Sequence, residues 1–155
     1  MTQVKSLLDF YKLVEELTDL LKILKVIEEN KLNAILEKSL IKLDACMKDE
    51  QVQVMKLRGL EKKREQLQSD LGYGNLTFKQ IIESFQGNEK KEAQKLFNNL
   101  QKATHDFNAI NHSVKTALEV HLHSINSVLE KADAKSLQKK KLSKSNQFTG
   151  TNRFV

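Results

Sequence analysis

Four histidines, one cysteine and scattered carboxylates are the side chains through which this chain of 155 residues would do metal or nucleophilic chemistry. His105 and His112 stand seven residues apart, so on a helix they share a face but lie two turns from one another, too far to hold one ion. His121 and His123, two apart, project to different sides of a helix. Neither pair has the carboxylate that completes a HExxH-like or Glu-x-x-His arrangement. Cys46 stands alone, which excludes a disulfide framework or a thiolate metal site within one chain; it reads as a small apolar residue on a helix. Gly72 and Gly74 begin like a dinucleotide fingerprint, yet the preceding strand and the third glycine are missing. No Ser/His/Asp order, P-loop or paired-carboxylate pattern is present. The chain is therefore expected to be a non-enzyme with no cofactor and no metal. Glu50 and Arg64 look like an acid and a base, but both fall beside an apolar seam. Charged residues placed so pair across the interface or lay their stems along it.

The elements that must position these residues are long helices. The chain contains no proline, the commonest helix stopper, and three of its five glycines fall between Gly72 and Gly87. A first helix is expected from about Val4 to Leu43, a rod of roughly 60 Å, with Asn30 and Lys31 as the place for a bend or break. Leu7, Tyr11, Val14, Leu21 and Leu24 form one stripe, and Phe10, Leu13, Leu17, Leu20 and Ile27 form another beside it; the resulting wide face can meet two neighbours. Asp44 is the expected N-cap of a second helix through Leu71, with Gly72 as its stop. Its stripe is narrower: Leu43, Met47, Val54, Leu57, Leu60, Leu67 and Leu71. Gly72 to Asn75 reads as a turn, and Thr77 caps a short amphipathic helix bearing Phe78, Ile81, Ile82 and Phe85. The last helix is expected from near Glu89 to about Leu137. Its stripe runs Leu96, Leu100, Ala103, Phe107, Ile110, Val114, Ala117, His121, Ile125, Val128 and Ala132, widened distally by Leu118, Leu122 and Leu129. The expected fold is all-α: an elongated antiparallel bundle of three long helices plus one short helix, with coiled-coil-like packing, over residues 1–142. Residues 143–155 are expected to be a mobile basic tail.

The net charge of +6 is not spread over this body. All acidic residues lie at or before Asp133, while Lys135, Lys139, Lys140, Lys141, Lys144 and Arg153 lie beyond it, so residues 1–134 are neutral overall. The tail's composition gives it little to bury. The body has no basic face with interleaved aromatics, which argues against nucleic acid as a partner. No apolar run approaches the roughly 18 residues of a membrane span, and Met1 to Phe10 lacks the pattern of a secretory signal. A cytoplasmic protein without membrane insertion is the expectation.

Leu57, Leu60, Glu61, Arg64, Leu67, Leu71 and Gly72, followed by Leu76, Thr77 and Ile81, resemble the signature segment of the FlgN-like flagellar export chaperones. In that family a long second helix ends in a Leu-Gly turn and a short helix begins at Thr or Ser. Asn108, Asn111, Val114, Ala117, Leu118 and Glu119 resemble the paired asparagines and trailing apolar positions of the family's last long helix. Phe148, Gly150, Asn152, Arg153 and Phe154 look like its usual ending. The chain departs from many relatives in being lysine-rich and in carrying Gly59 inside the second helix, where glycine costs on the order of 1 kcal/mol.

The resemblance implies a cytosolic chaperone of the flagellar type III export system. Such a chaperone binds C-terminal helical segments of hook-associated (hook-filament junction) proteins, prevents premature assembly and delivers them to the export apparatus, with neither nucleotide nor catalysis. The resemblance places binding towards the C-terminal part, hence on Val114, Leu118, His121, Leu122, Ile125, Val128, Leu129, Phe148 and Phe154. A client helix would give the distal stripe its missing apolar partner. A weak homodimer is a further expected association. Two other readings remain: a structural coiled-coil protein that uses the same stripes for self-association, and a basic-tail binder of nucleic acid or anionic membrane acting through Lys135 to Lys144.

Overall fold

The computed structural model describes the backbone of residues 2–142 and the side-chain burial of residues 7–138 apart from Ile125 and Ser136. Four helices follow one another: α1 (Thr2–Leu36), α2 (Leu40–Asp70), α3 (Phe78–Glu83) and α4 (Gly87–Leu142). Three are long and one is short, and no strand occurs among the described residues. The all-α bundle expected from the sequence is thus what forms, with α1 packed against both α2 and α4.

The first boundary differs from the sequence expectation. The helix continues through Asn30 and Lys31 and stops at Leu36, because Lys38 adopts a left-handed backbone, φ 58°. With Lys38 turned this way, Ser39 N donates to Ala34 O at 2.9 Å and Lys38 N to Ile35 O at 3.1 Å, which satisfies two carbonyls at the helix end. Ser39 then caps α2, its side chain accepting from Lys42 N at 3.3 Å. Asp44 is not the cap; it lies a turn inside α2 and pairs with Lys48 at 3.0 Å. A lysine in the position that glycine usually fills is strained. Lys38→Gly is therefore expected to stabilise the protein by about 1 kcal/mol, read as a higher midpoint in urea at unchanged slope.

The other boundaries follow the sequence closely. At the end of α2, Gly72 takes φ 79°. Tyr73 N reaches Gln68 O at 2.8 Å and Gly72 N reaches Ser69 O at 3.0 Å, the same double closure as at Lys38 but with the residue suited to it. Thr77 caps α3, and the Gln80 side chain returns a bond to Thr77 N at 2.9 Å, a reciprocal box. The last helix starts at Gly87, slightly before the expected Glu89, and runs on to Leu142.

Two compact units divide the chain, Met1–Ala117 and Leu118–Val155. The first holds the core. Both apolar stripes of α1 are used: Phe10, Val14, Leu17, Leu20, Leu21 and Leu24 cluster with Ile81, Ile82 and Phe85 of the α3 region and with Ala93, Leu100 and Ala103 of α4. Leu24 is 1% exposed. From α2, Val54, Leu57, Leu60 and Leu67 only lean against this cluster, half-buried, as suits a narrow stripe. Phe78 sits between Phe10 and Phe97, with ring centres 5.7 and 6.0 Å away, and so ties α3 to both long neighbours.

Candidate functional site

The apolar stripe of α4 runs unbroken along the helix, but its surroundings change. In the first unit Leu100, Ala103 and Val114 are buried, and Leu96 and Phe107 pack against the core. In the second unit Leu118 and His121 are half-buried, whereas Leu122, Val128 and Leu129 are exposed. Leu118, Leu122 and Leu129 are spaced as one strip along a helix, with the Ile125 position completing the step between them. The exposures of 56% at Leu122, 63% at Val128 and 52% at Leu129 leave an apolar strip of the kind that marks a protein-binding surface.

Of the residues singled out for this surface, Val114 is only 1% exposed and is a core residue of the first unit. The stripe passes through Val114 and Leu118 without a change of pattern, so nothing in the spacing shows where the covering neighbours end. The side chain of Ile125 and residues Phe148 and Phe154 lie outside the described residues. Val120 and Leu137, 65% and 60% exposed, add to the apolar surface of the second unit. Val120 was not expected because it lies off the regular three-and-four spacing; only a plain count of apolar residues after Leu118 would have found it.

The α2 signature builds a different object. Gln68 is the buried polar residue of α2. Its amide nitrogen donates to Leu76 O at 2.6 Å and approaches Gly74 O at 3.3 Å and Tyr73 O at 3.4 Å, while its oxygen accepts from Arg64 Nη1 at 2.8 Å. Arg64 also binds the Glu61 carboxylate at 3.0 to 3.3 Å and lies over the Phe78 ring at 5.7 Å. One side-chain chain of bonds thus fixes the whole turn from Gly72 to Thr77 and sets α3 against α2. Leu57, Glu61, Arg64 and Thr77 then meet Asn108 of α4 around a groove of about 720 Å³ in the first unit. Leu60, Leu67 and Leu71 pack on the core, and Asn111 is half-buried. Gln68 was missed in the sequence; its one signal was a polar residue within the inner stripe, a turn after Arg64.

A second polar cluster holds α1 to α2. Lys31 Nζ lies 2.6 Å from Glu50 Oε2 across the hairpin and 3.3 Å from Glu28 Oε1 on its own helix. The seam position of Glu50 pairs across the interface as its place in the sequence predicts. Arg64 instead finds its carboxylate within α2. Glu28 is 1% exposed, and its second oxygen has no hydrogen-bond partner. Burial first, then the neighbouring Glu50 carboxyl, push the Glu28 pKa up to about 7 against the pull of Lys31. Burial also works to raise Glu50, but the neighbouring Glu28 carboxyl and the contact with Lys31 prevail and hold it below the ordinary carboxylate range. For Lys31, burial works downward and is outweighed by the two carboxylates, so its ammonium is held more tightly than usual.

Among the described residues no group of three or more His, Cys, Asp and Glu side chains is placed to hold a metal ion. No helix among them is long and apolar enough to cross a membrane.

A family model described as FlgN protein matches residues 1–141. No curated protein and no solved structure matches the chain.

Proposed function

The chain belongs to the FlgN family and is a flagellar export chaperone, and from that premise we propose that it binds the C-terminal helical segments of hook-associated, hook-filament junction proteins. The observation that carries this reading is the apolar strip on α4 beyond Ala117, formed by exposed Leu122, Val128 and Leu129 with half-buried Leu118 at its start. An amphipathic client helix laid along the strip removes both apolar faces from water at once. The same act hides the client segment that would otherwise assemble with its neighbours, so shielding and recognition are one event. The protein works in the cytoplasm without catalysis, metal or cofactor, and hands the client to components of the export apparatus.

The test is affinity for synthetic C-terminal segments of junction proteins, followed by fluorescence anisotropy. Leu122→Glu and Leu129→Glu, at exposed positions that leave the first unit untouched, are each expected to weaken binding at least about tenfold. Affinities unchanged by both substitutions, in protein with native helicity, would overturn the reading.

A further inference from the structure

The strip on α4 does not fade into neutral surface; it turns cationic. Past Leu118 and Leu122 its apolar positions include Val128, Leu129 and Ala132, and each of these three has a lysine further along its own line. Lys135 stands seven residues after Val128, Lys139 seven after Ala132 and Lys140 eleven after Leu129. Steps of seven and eleven return a helix to nearly the same face, and the backbone stays helical through Leu142. Lys135 is exposed, and helical side chains lean towards the N-terminus of their helix, here back towards Ala132. The charge is graded in the same direction. Residues 118–134 carry three acids and one lysine, a balance of −2, whereas residues 135–142 carry four lysines and no acid, +4. Lys115, the nearest lysine before the strip, has Glu119 one turn beyond it.

A helix laid on this strip has a polarity of its own. Its C-terminal end carries about half a negative charge, and where the helix is also the end of a chain an ionised α-carboxyl adds a full one. We propose that the client helix runs to its own carboxyl terminus and lies parallel to α4, with that terminal carboxylate held by Lys135, Lys139 and Lys140. The inference rests on the client reading above and adds which end of the client is recognised and which way it points. From Leu118 to Ala132 is roughly 21 Å, so about fifteen residues of client helix cover the apolar part and bring the last turn level with the lysines. The antiparallel alternative sets the same carboxylate beside Glu119 and leaves the lysines against the positive end of the client helix. Selecting a free chain end also rejects internal amphipathic helices of similar apolar pattern.

The test compares one junction-protein C-terminal peptide as free acid and as C-terminal amide, by anisotropy with the full-length protein. At an ionic strength of about 0.05 M the amide is expected to bind about fivefold more weakly, and at about 0.5 M the two are expected to converge. Replacing Lys135, Lys139 and Lys140 together by Gln is expected to abolish the preference for the acid; lysines that merely steady the end of α4 would on removal weaken both peptides alike. A benzophenone on the peptide N-terminus is expected to cross-link near Leu118 and Leu122. Equal affinity of acid and amide, a preference that survives the triple substitution, or cross-linking at Leu137 instead would overturn the proposal while Leu122→Glu still weakens both peptides. Failure of both peptides to bind, or binding indifferent to Leu122→Glu and Leu129→Glu, would overturn the client reading and this inference with it.

Discussion

Lys31→Met is expected to destabilise the protein by about 3 kcal/mol at pH 8 and by much less at pH 5. At pH 8 the substitution strips the Lys31 ammonium from a buried Glu28 whose second oxygen lacks a partner among the described residues. It also removes the 2.6 Å contact by which Glu50 joins α2 to α1. For a chain of this size the loss lowers Tm by on the order of 10 °C. At pH 5 the Glu28 carboxyl is protonated, and a neutral acid is far less costly to leave unpaired.

The same cluster gives the unaltered protein a pH slope. A carboxyl raised from 4.5 to about 7 binds its proton more tightly in the folded chain than in the unfolded one. Its contribution is complete below the unfolded value and is lost as pH rises through about 7. Glu50, held low, contributes above its unfolded value and loses that contribution as pH falls through its folded one, which lies below 4.5. The two windows do not overlap, so thermal melts between pH 5 and pH 8 report Glu28. Stability should fall across that interval, and Glu28→Gln should flatten the curve. An equal loss for Lys31→Met at both pH values would show that Glu28 is not the titrating group.

Gln68→Leu is expected to cost about 2 to 3 kcal/mol, although leucine has nearly the same volume. The amide it removes serves the carbonyls of Tyr73, Gly74 and Leu76 from the helix side and holds Arg64 from the other. Leucine leaves those carbonyls without their donor and frees the guanidinium stacked on Phe78. The loss should appear in urea unfolding, and the amides between Gly72 and Ile81 should exchange faster with solvent than in the unaltered protein. A change within about 0.5 kcal/mol, the usual range for a surface substitution, would mean that the turn is held by Gly72 and the Thr77 cap alone.

Much of this architecture can be read from residue types because glycine and apolar period carry it. Gly72 and Thr77 mark the turn and the start of α3, and both stripes of α1 go to the core. What escaped reading is what lysine conceals. Lys38 ends α1 in a conformation for which glycine is the usual signal, so the boundary slid forward to Asp44, another residue that caps helices well. Asn30 and Lys31 looked like a weak point because a charge in the wide face is unfavourable on its own; Glu28 and Glu50 make it a joint. On α4 the apolar spacing includes the exposed Leu122, Val128 and Leu129 together with half-buried Leu118 and buried Val114, since periodicity records which side of a helix is apolar and not whether anything lies against it.

The cluster that shelters α1 draws on Ala93, Leu100 and Ala103, residues that a ribosome delivers after both arms of the α1–α2 hairpin are complete. Local pairing lets the hairpin close as soon as it emerges, yet Phe10, Val14 and Leu17 still wait for partners from further down the chain. At about 5 to 20 residues per second the wait is a few seconds. For those seconds of its own synthesis, this flagellar export chaperone is a nascent chain with apolar segments still uncovered.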